Sequence, residues 1–363
     1  MRAHWFFLGV VAWGAAGCAE GVGVELDGAD EQQVDDVRVT GETYFAVRRD
    51  ARRCPWPTCG GFMVSRVGAS TTRCADGSRA PQCHVPYLEV AGLSPTQGDA
   101  VRAQPDGYST RLVARGRLVG ARLQASQVWS APAEVALEGT LRLASRPTCG
   151  PNERCAGSIS TALSNGRTTI LAGVDLDAAR GTVADRAAAQ AALTTDVGIV
   201  TAGTLSSTTG GTLLRVRDFA APVLPRTGPF CGSALREELA AAGNDLTFPS
   251  ESDYPFETVE RAGAGRVALT VGRFRSAFGV PTSQPIETRT LDAVFARLTA
   301  ETPEMTEQER ATARRFTALR DFLRANLREV QVFRFSTVQV QVYFVGRTAC
   351  GDLAGLRTVS IET

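Results

Sequence analysis

Eight cysteines lie beyond residue 50 of this 363-residue chain, and no other feature limits its folding more tightly. Six are near neighbours in sequence, Cys54 with Cys59, Cys74 with Cys83 and Cys149 with Cys155, which leaves Cys231 and Cys350 as a long-range couple. An even set of this kind is used up most economically as disulfides, provided the chain is exported to an oxidising compartment. Eight cysteines admit about 105 connectivities, so pairing by proximity is one choice among many. A link between Cys231 and Cys350 would close a large loop and restrict the unfolded chain by about 4–5 kcal/mol. Zinc is the competing use of thiols. It needs closely spaced ligand pairs, yet there is no Cys-x-x-Cys, and His84 is the one histidine beyond the first few residues.

Export is written into the first eighteen residues, MRAHWFFLGVVAWGAAGC. One arginine precedes an apolar run from Trp5 to Trp13, and Ala15, Ala16 and Gly17 lead to Cys18. The run is too short to span a bilayer and is followed by the small residues that a signal peptidase requires. Its end resembles a bacterial lipobox, which implies a signal peptide over residues 1–17 and Cys18 as the lipidated start of the mature chain. Residues 18–40 are acidic, glycine-containing and weakly apolar, as a tether between a lipid anchor and a folded body would be. The expected location is the cell envelope, at the outer membrane or cell surface, with the membrane touched through the lipid alone.

The remaining length is enough for two cores, and 44% hydrophobic with 21% charged residues is the balance of a globular chain. A net charge of +1 supplies no overall field for gathering nucleic acid, so any electrostatic recognition is local. All 39 basic residues are arginine. Over residues 41–225 short apolar runs such as TYFAVR, GFMVSRV, TLRLAS and TLLRVRDF alternate with Gly, Pro, Asn and Cys, predicting a mostly β domain stapled by disulfides. Its one strong helical stretch is Thr182 to Leu193. The proline-rich APVLPRTGPFCGS at 221–233 marks a boundary, and 231–363 reads as a second domain.

In that second part Ser233 is placed to cap a helix through LREELAAAG, and RVALTVGRF reads as a strand. Leu291, Val294, Phe295 and Leu298 recur at helical spacing. A longer helix opens on the capping-box pair Thr306 and Glu309 and presents Phe316, Leu319, Leu323 and Leu327 on one face. Its arginines, Arg310, Arg314, Arg320, Arg324 and Arg328, read as a solvated face, because no aromatics interleave with them as nucleic-acid binding would require. Strands follow in TVQVQVYFVGR, with Val338, Val340, Val342 and Phe344 alternating against Gln339, Gln341 and Tyr343, and in LRTVSIET. The sum is an α+β chain whose second domain is an α+β or α/β/α sandwich of about 130 residues.

Catalytic signatures are missing from the sequence: it has no Gly-x-Ser-x-Gly elbow and no phosphate-binding loop. His84 follows Cys83 in a cysteine-bounded loop, where a structural role is expected. Gly263-Ala-Gly265 reads as a turn before a strand, and Asp175 with Asp177 lacks the further acids of a calcium loop. The notable cluster is PSESDYPFE, residues 249–257, with Glu251, Asp253 and Glu257. Between Asp245 and Glu260 there are five acids and no arginine, whereas residues 231–363 as a whole hold 17 acids against 16 arginines. A catalytic carboxylate pair needs one buried member, which a Ser/Pro-rich loop does not promise. An exposed acidic tip suits entry into a cationic or metal-holding cleft, and a plain solubilising connector is the alternative.

LTFPSESDYPFE, QVFRF, VQVYFVGRT and the terminal GDLAGLRTVSIET are similar, in order and spacing, to the nuclease A inhibitor family. That resemblance covers about residues 235–363 and implies a PR-1-like α/β/α sandwich that is no enzyme, needs no cofactor, and blocks a sugar-nonspecific, metal-dependent endonuclease. The family's first acidic residue of the Ser-Glu-Ser segment and its terminal Thr approach the nuclease metal, and these correspond to Glu251 and Thr363. Asp253, Glu257 and Glu362 are the supporting contacts expected from the same surface. The chain itself would then hold no metal and make no direct contact with nucleic acid. A structural or adhesion lipoprotein that kept the fold without nuclease binding is the alternative. ETYFAVRRDARRCPWPTCGGFMVSRV, STTRCADGSRAPQCHV and RPTCGPNERC resemble an uncharacterised bacterial secreted-protein domain over about 41–225, and this likeness implies no activity.

Overall fold

In the computed structural model, residues 42–55, 58–147, 157–226, 229–263 and 267–362 are described. Alternating sequences give strands up to Pro222: β1 Thr43–Arg49, β2 Phe62–Arg66, β3 Thr72–Arg73, β4 Arg79–Ala80, β5 Cys83–Val85, β6 Tyr87–Val90, β7 Leu112–Val119 and β8 Arg122–Ser130. They continue with β9 Leu141–Ser145, β10 Ser158–Ala162, β11 Thr168–Leu171, β12 Gly173–Asp175, β13 Ile199–Thr208 and β14 Gly211–Pro222. The main sheet runs β11-β10-β9-β13-β14-β8-β7-β1-β2-β5, with β12 beside β14 and β6 beside β8. Val47, Val64, Leu112, Leu123 and Val128 lose all contact with water in its core. Trp129 is buried too, and its indole N–H donates to the Gly198 carbonyl at 3.1 Å.

Two helices accompany this sheet, α1 Pro95–Ala103 and α2 Val183–Ala192. The predicted α2 has Thr182 as its N-cap and packs Ala189 and Ala192 with Leu214 and Phe219. The other helix is an addition to the sequence reading. Ser94-Pro-Thr-Gln97 is a capping box with proline in the first turn, but the helix is short and mostly polar, so it has almost no apolar stripe to betray it.

Disulfides join Cys54 to Cys59, Cys74 to Cys83 and Cys231 to Cys350. Cys18, Cys149 and Cys155 lie outside the described residues.

The second sheet is built from residues after the linker. Its elements are α3 Gly232–Gly243, β15 Thr247–Phe248, β16 Tyr254–Pro255, β17 Glu257–Arg261, α4 Val271–Phe278, β18 Ile286–Thr290, α5 Leu291–Leu298, α6 Glu307–Asn326, β19 Arg328–Phe335, β20 Gln339–Arg347 and β21 Leu353–Ile361. Five strands pair antiparallel in the order β17-β21-β20-β19-β18. Alternate residues of β20 serve different cores. Val342 and Phe344 meet Leu235, Phe295, Phe316 and Leu323 from α3, α5 and α6 on one face, while Tyr343 and Val345 meet Phe274 of α4 on the other. Helices therefore cover both faces, and the layering is α/β/α. Each of these fully buried large side chains contributes about 1.5–3 kcal/mol relative to exposure.

Two local expectations are corrected here. RVALTVGRF is not a strand: Thr270 caps α4 through the Arg273 amide, Phe274 is fully buried, stacking on Phe333 at 4.0 Å, and Gly279 closes the helix at φ 70°. The N-cap of α3 is Cys231 rather than Ser233, and it makes no side-chain capping bond. At α6 the capping box of Thr306 and Glu309 is formed, and Phe316, Leu319, Leu323 and Leu327 are buried.

Both sheets belong to one compact unit beginning at residue 41, and buried charge joins them. Glu238 of α3 has no exposure. It accepts hydrogen bonds from Ser94 Oγ at 2.9 Å, Thr96 N at 2.9 Å and Thr96 Oγ1 at 2.5 Å. A carboxylate from α3 thus closes the N-terminus of α1, where the helix dipole favours an anion. Nearby, Arg314 of α6 binds Glu89 at 2.9 Å and Glu307 at 2.7 Å, and Arg122 approaches both acids. Burial works to raise the Glu307 carboxyl, but the bonds from Arg314 and Arg310 outweigh it and hold it below the ordinary range.

Candidate functional site

The PSESDYPFE cluster is a hairpin tip. Phe248 pairs with Tyr254 and Thr247 with Pro255, leaving Pro249 to Asp253 as the connection, with Glu251 at its middle. Ser250 Oγ donates to the Ser252 carbonyl within it. The flanking aromatics fix the tip from below. Phe248 and Phe256 lie 6.2 Å apart, edge to face, and both rest on Phe344, at 6.1 Å and 5.9 Å. The apolar residues of the segment are therefore spent on the core, while Glu251 and Asp253 stand exposed.

Strand pairing brings this tip beside the end of β21. Glu257 lies opposite Arg357 in the antiparallel β17–β21 pair, so the residues before β17 lie at the same end of the sheet as those after Arg357. Thr358 Oγ1 donates to the Tyr254 carbonyl at 3.2 Å, which ties the hairpin to β21. The Glu362 amide donates to the Val338 carbonyl at 3.0 Å, so the turn between β19 and β20 lies on the other side of the last residues. Thr363 lies outside the described residues.

Charge at this end is less one-sided than counting along the chain implies. Arg357 donates to Glu257 from Nε at 2.8 Å and from Nη2 at 2.5 Å. Toward the other end of β17, Arg236 pairs with Glu260 at 2.6 Å. The Glu362 carboxylate is held by Arg334, which also reaches Glu287 at 2.9 Å, and by Ser360 Oγ at 3.0 Å. Asp253 has no ion-pair partner among the described residues. Glu251, Asp253, Glu257 and Glu362 are all exposed, and the ion pairs of Glu257 with Arg357 and of Glu362 with Arg334 tie the latter two to the sheet. Sequence reasoning missed Arg334 and Arg357, whose partnerships are set by strand register and by nothing in their own neighbourhoods. Pro249 also forms one wall of an open groove of about 470 Å³ floored by Leu298, Met305, Ala313 and Phe316.

The other candidates resolve into structure. His84 Nε2 lies 2.7 Å from the Gly60 carbonyl and 3.4 Å from Asp50, whose carboxylate is held below its usual range chiefly by its hydrogen bond from Arg52. Asp175 accepts from the Asp177 amide at 3.0 Å in a local turn. Among the described residues no group of three or more His, Cys, Asp or Glu is arranged to hold a metal. Gly263 leads from β17 toward α4, not toward a strand as expected, but β17 is antiparallel to its neighbour β21, unlike the parallel unit of a dinucleotide site. Gly265 lies outside the described residues. On α6, Arg310 is engaged by Glu307, Arg314 by Glu89, Arg320 by Asp321 and Arg324 by Asp292, whereas Arg315 donates to the Asn244 and Asp245 carbonyls; Arg328, expected on the same helix, opens β19 instead.

Comparison with known families gives two matches. Residues 233–363 match the nuclease A inhibitor-like protein family, and residues 43–223 match a domain of unknown function, DUF6748. No curated protein matches the chain. The first match contains the acidic hairpin and every strand of the second sheet, and an inhibitor-like relationship points to binding rather than catalysis. The disulfides fit an extracellular or envelope location. Among the described residues, no helix is long and apolar enough to cross a membrane.

Proposed function

We propose that the chain is an envelope-anchored nuclease inhibitor, whose domain over 231–363 blocks a sugar-nonspecific, metal-dependent nuclease by placing anions in its active-site cleft. The match of residues 233–363 to the nuclease A inhibitor-like family carries this reading. Geometry supports it, because the exposed Glu251 and Asp253 sit on a braced hairpin beside the end of β21. In this reading Glu251 and the Thr363 carboxylate both approach the partner's metal. A nuclease holds a scissile phosphate with a divalent cation and cationic side chains, and carboxylates compete for the same positions. Asp253, Glu257 and Glu362 shape the approach. Cys18 carries the lipid and residues 18–40 the tether, so the inhibitor guards the cell surface.

The test is inhibition of such a nuclease by the full chain, by Glu251→Ala, and by a form extended beyond Thr363. The unaltered chain inhibits, while the other two lose about tenfold or more, as removal of a central interface contact does. Equal inhibition by the extended form would sink the terminal-carboxylate mechanism.

A further inference from the structure

An anionic plug of two or three residues is too small to be a whole interface. Stable protein complexes bury about 800 Å² per partner, and a few well-packed, desolvated side chains carry most of their energy. The surface next to the acidic tip offers a candidate. Within 231–363 the exposed large hydrophobic residues among those described are Val267 and Val338, at 65% and 58%. Val267 follows β17 and precedes α4, close to Leu269, whose amide is bonded to Glu329. It therefore sits toward the end of the sheet that holds the β20–β21 turn, away from the acidic hairpin. Val338 sits at the opposite end, with its carbonyl bonded to the Glu362 amide.

The sequence pattern makes Val338 the first inward residue of β20, yet pairing begins only at Gln339, opposite Ile361. Ser336 adopts φ 76° just before it, a conformation unusual for a residue with a Cβ, and the turn ends with the valine side chain outside the sheet. Arg334 holds this end together by binding both Glu287 and Glu362. The end of β21 is consequently flanked by two turns, one bearing Glu251 and Asp253 and the other bearing Val338.

We infer that Val338, on the β19–β20 turn, is the apolar anchor of the nuclease-binding surface and seats against a nonpolar patch on the rim of the partner's metal-holding cleft. This inference rests on the proposed function. The bond from the Glu362 amide to the Val338 carbonyl points to the same nuclease as occupant, since a protein whose cleft accepts the acidic tip beside the end of β21 brings its rim over this turn. Anions supply steering and register there, while the valine lengthens the life of the complex.

The experiment measures inhibition of a purified sugar-nonspecific, metal-dependent endonuclease by the full chain and by Val338→Asp, Val338→Ala and Val267→Asp, with thermal unfolding of each. The expected result is inhibition weakened about tenfold or more by Val338→Asp, through faster dissociation, and less by Val338→Ala. Val267→Asp inhibits like the unaltered chain, and all forms unfold at similar temperatures because both side chains are exposed. If the unaltered chain inhibits and Val338→Asp inhibits equally, this inference fails while the proposed function stands. Equal weakening by Val267→Asp also overturns it, and absence of inhibition by the unaltered chain overturns both.

Discussion

A carboxylate with no exposed atoms persists in a fold only when the surrounding donors repay its lost hydration. Asp218 on β14 is such a group, held by Arg180 at 2.5 Å and Arg217 at 2.9 Å. These arginines also reach the Ala136 and Glu138 carbonyls, so the carboxylate organises the loop before β9 as well as its own strand. Burial tends to raise its pKa, but the two arginines prevail and hold it below the ordinary 3.8. A depressed native pKa stabilises the fold above the unfolded-state value, and the contribution is lost as pH falls through the native one. Asp218→Asn should therefore cost about 1.5–3 kcal/mol at neutral pH. In urea unfolding the difference from the unaltered chain should hold down to about pH 5 and shrink toward pH 2. A gap independent of pH would show that ionisation of Asp218 is not what stabilises the site.

Between elements, the junction of α1 and α3 depends on one side chain. Glu238→Ala removes three bonds to the N-terminus of α1 and the neighbouring charge for Arg226, which lies 3.6 Å away in the linker. A loss of about 1–3 kcal/mol follows from leaving these donors unpaired, and trypsin should cut faster after Arg226. An unchanged cleavage rate would show that Glu238 does not secure the linker. Neither α1 nor the carboxylate over its N-terminus was legible in the sequence: the capping box of Ser94 and Gln97 is local, but the helix has little apolar periodicity and the carboxylate comes from residue 238. By contrast α6 could be read in advance, since capping box and apolar stripe are both local. RVALTVGRF misled because β-branched residues suggest a strand, whereas burial of Phe274 against Phe333 and Tyr343 selects a helix. The acidic tip was legible as a composition. Its hairpin geometry, the pairing of Glu257 with Arg357 and the exposed Val338 were not, because register between distant strands decides them.

At the scale of the molecule, Cys231 and Cys350 connect the start of α3 to the turn after β20 across 119 positions. Four of the five strands of the second sheet lie within the closed loop, so the bond limits the unfolded chain far more than a short staple does. The chain-entropy estimate for a loop of this length is about 5 kcal/mol, against about 2 kcal/mol for a loop of five residues such as that of Cys54 and Cys59. At the folded surface the bond is remote from the acidic tip: β21 begins beside the Cys350 turn and ends at Ile361, near Val338 and the hairpin. Stability and binding should consequently separate. Replacing both cysteines, Cys231→Ser with Cys350→Ser, is expected to lower the thermal midpoint of the second sheet by several degrees, while nuclease inhibition below that midpoint is retained. Inhibition lost at temperatures where the double variant remains folded would mean that the disulfide shapes the binding edge, and that the two ends of the sheet are mechanically coupled.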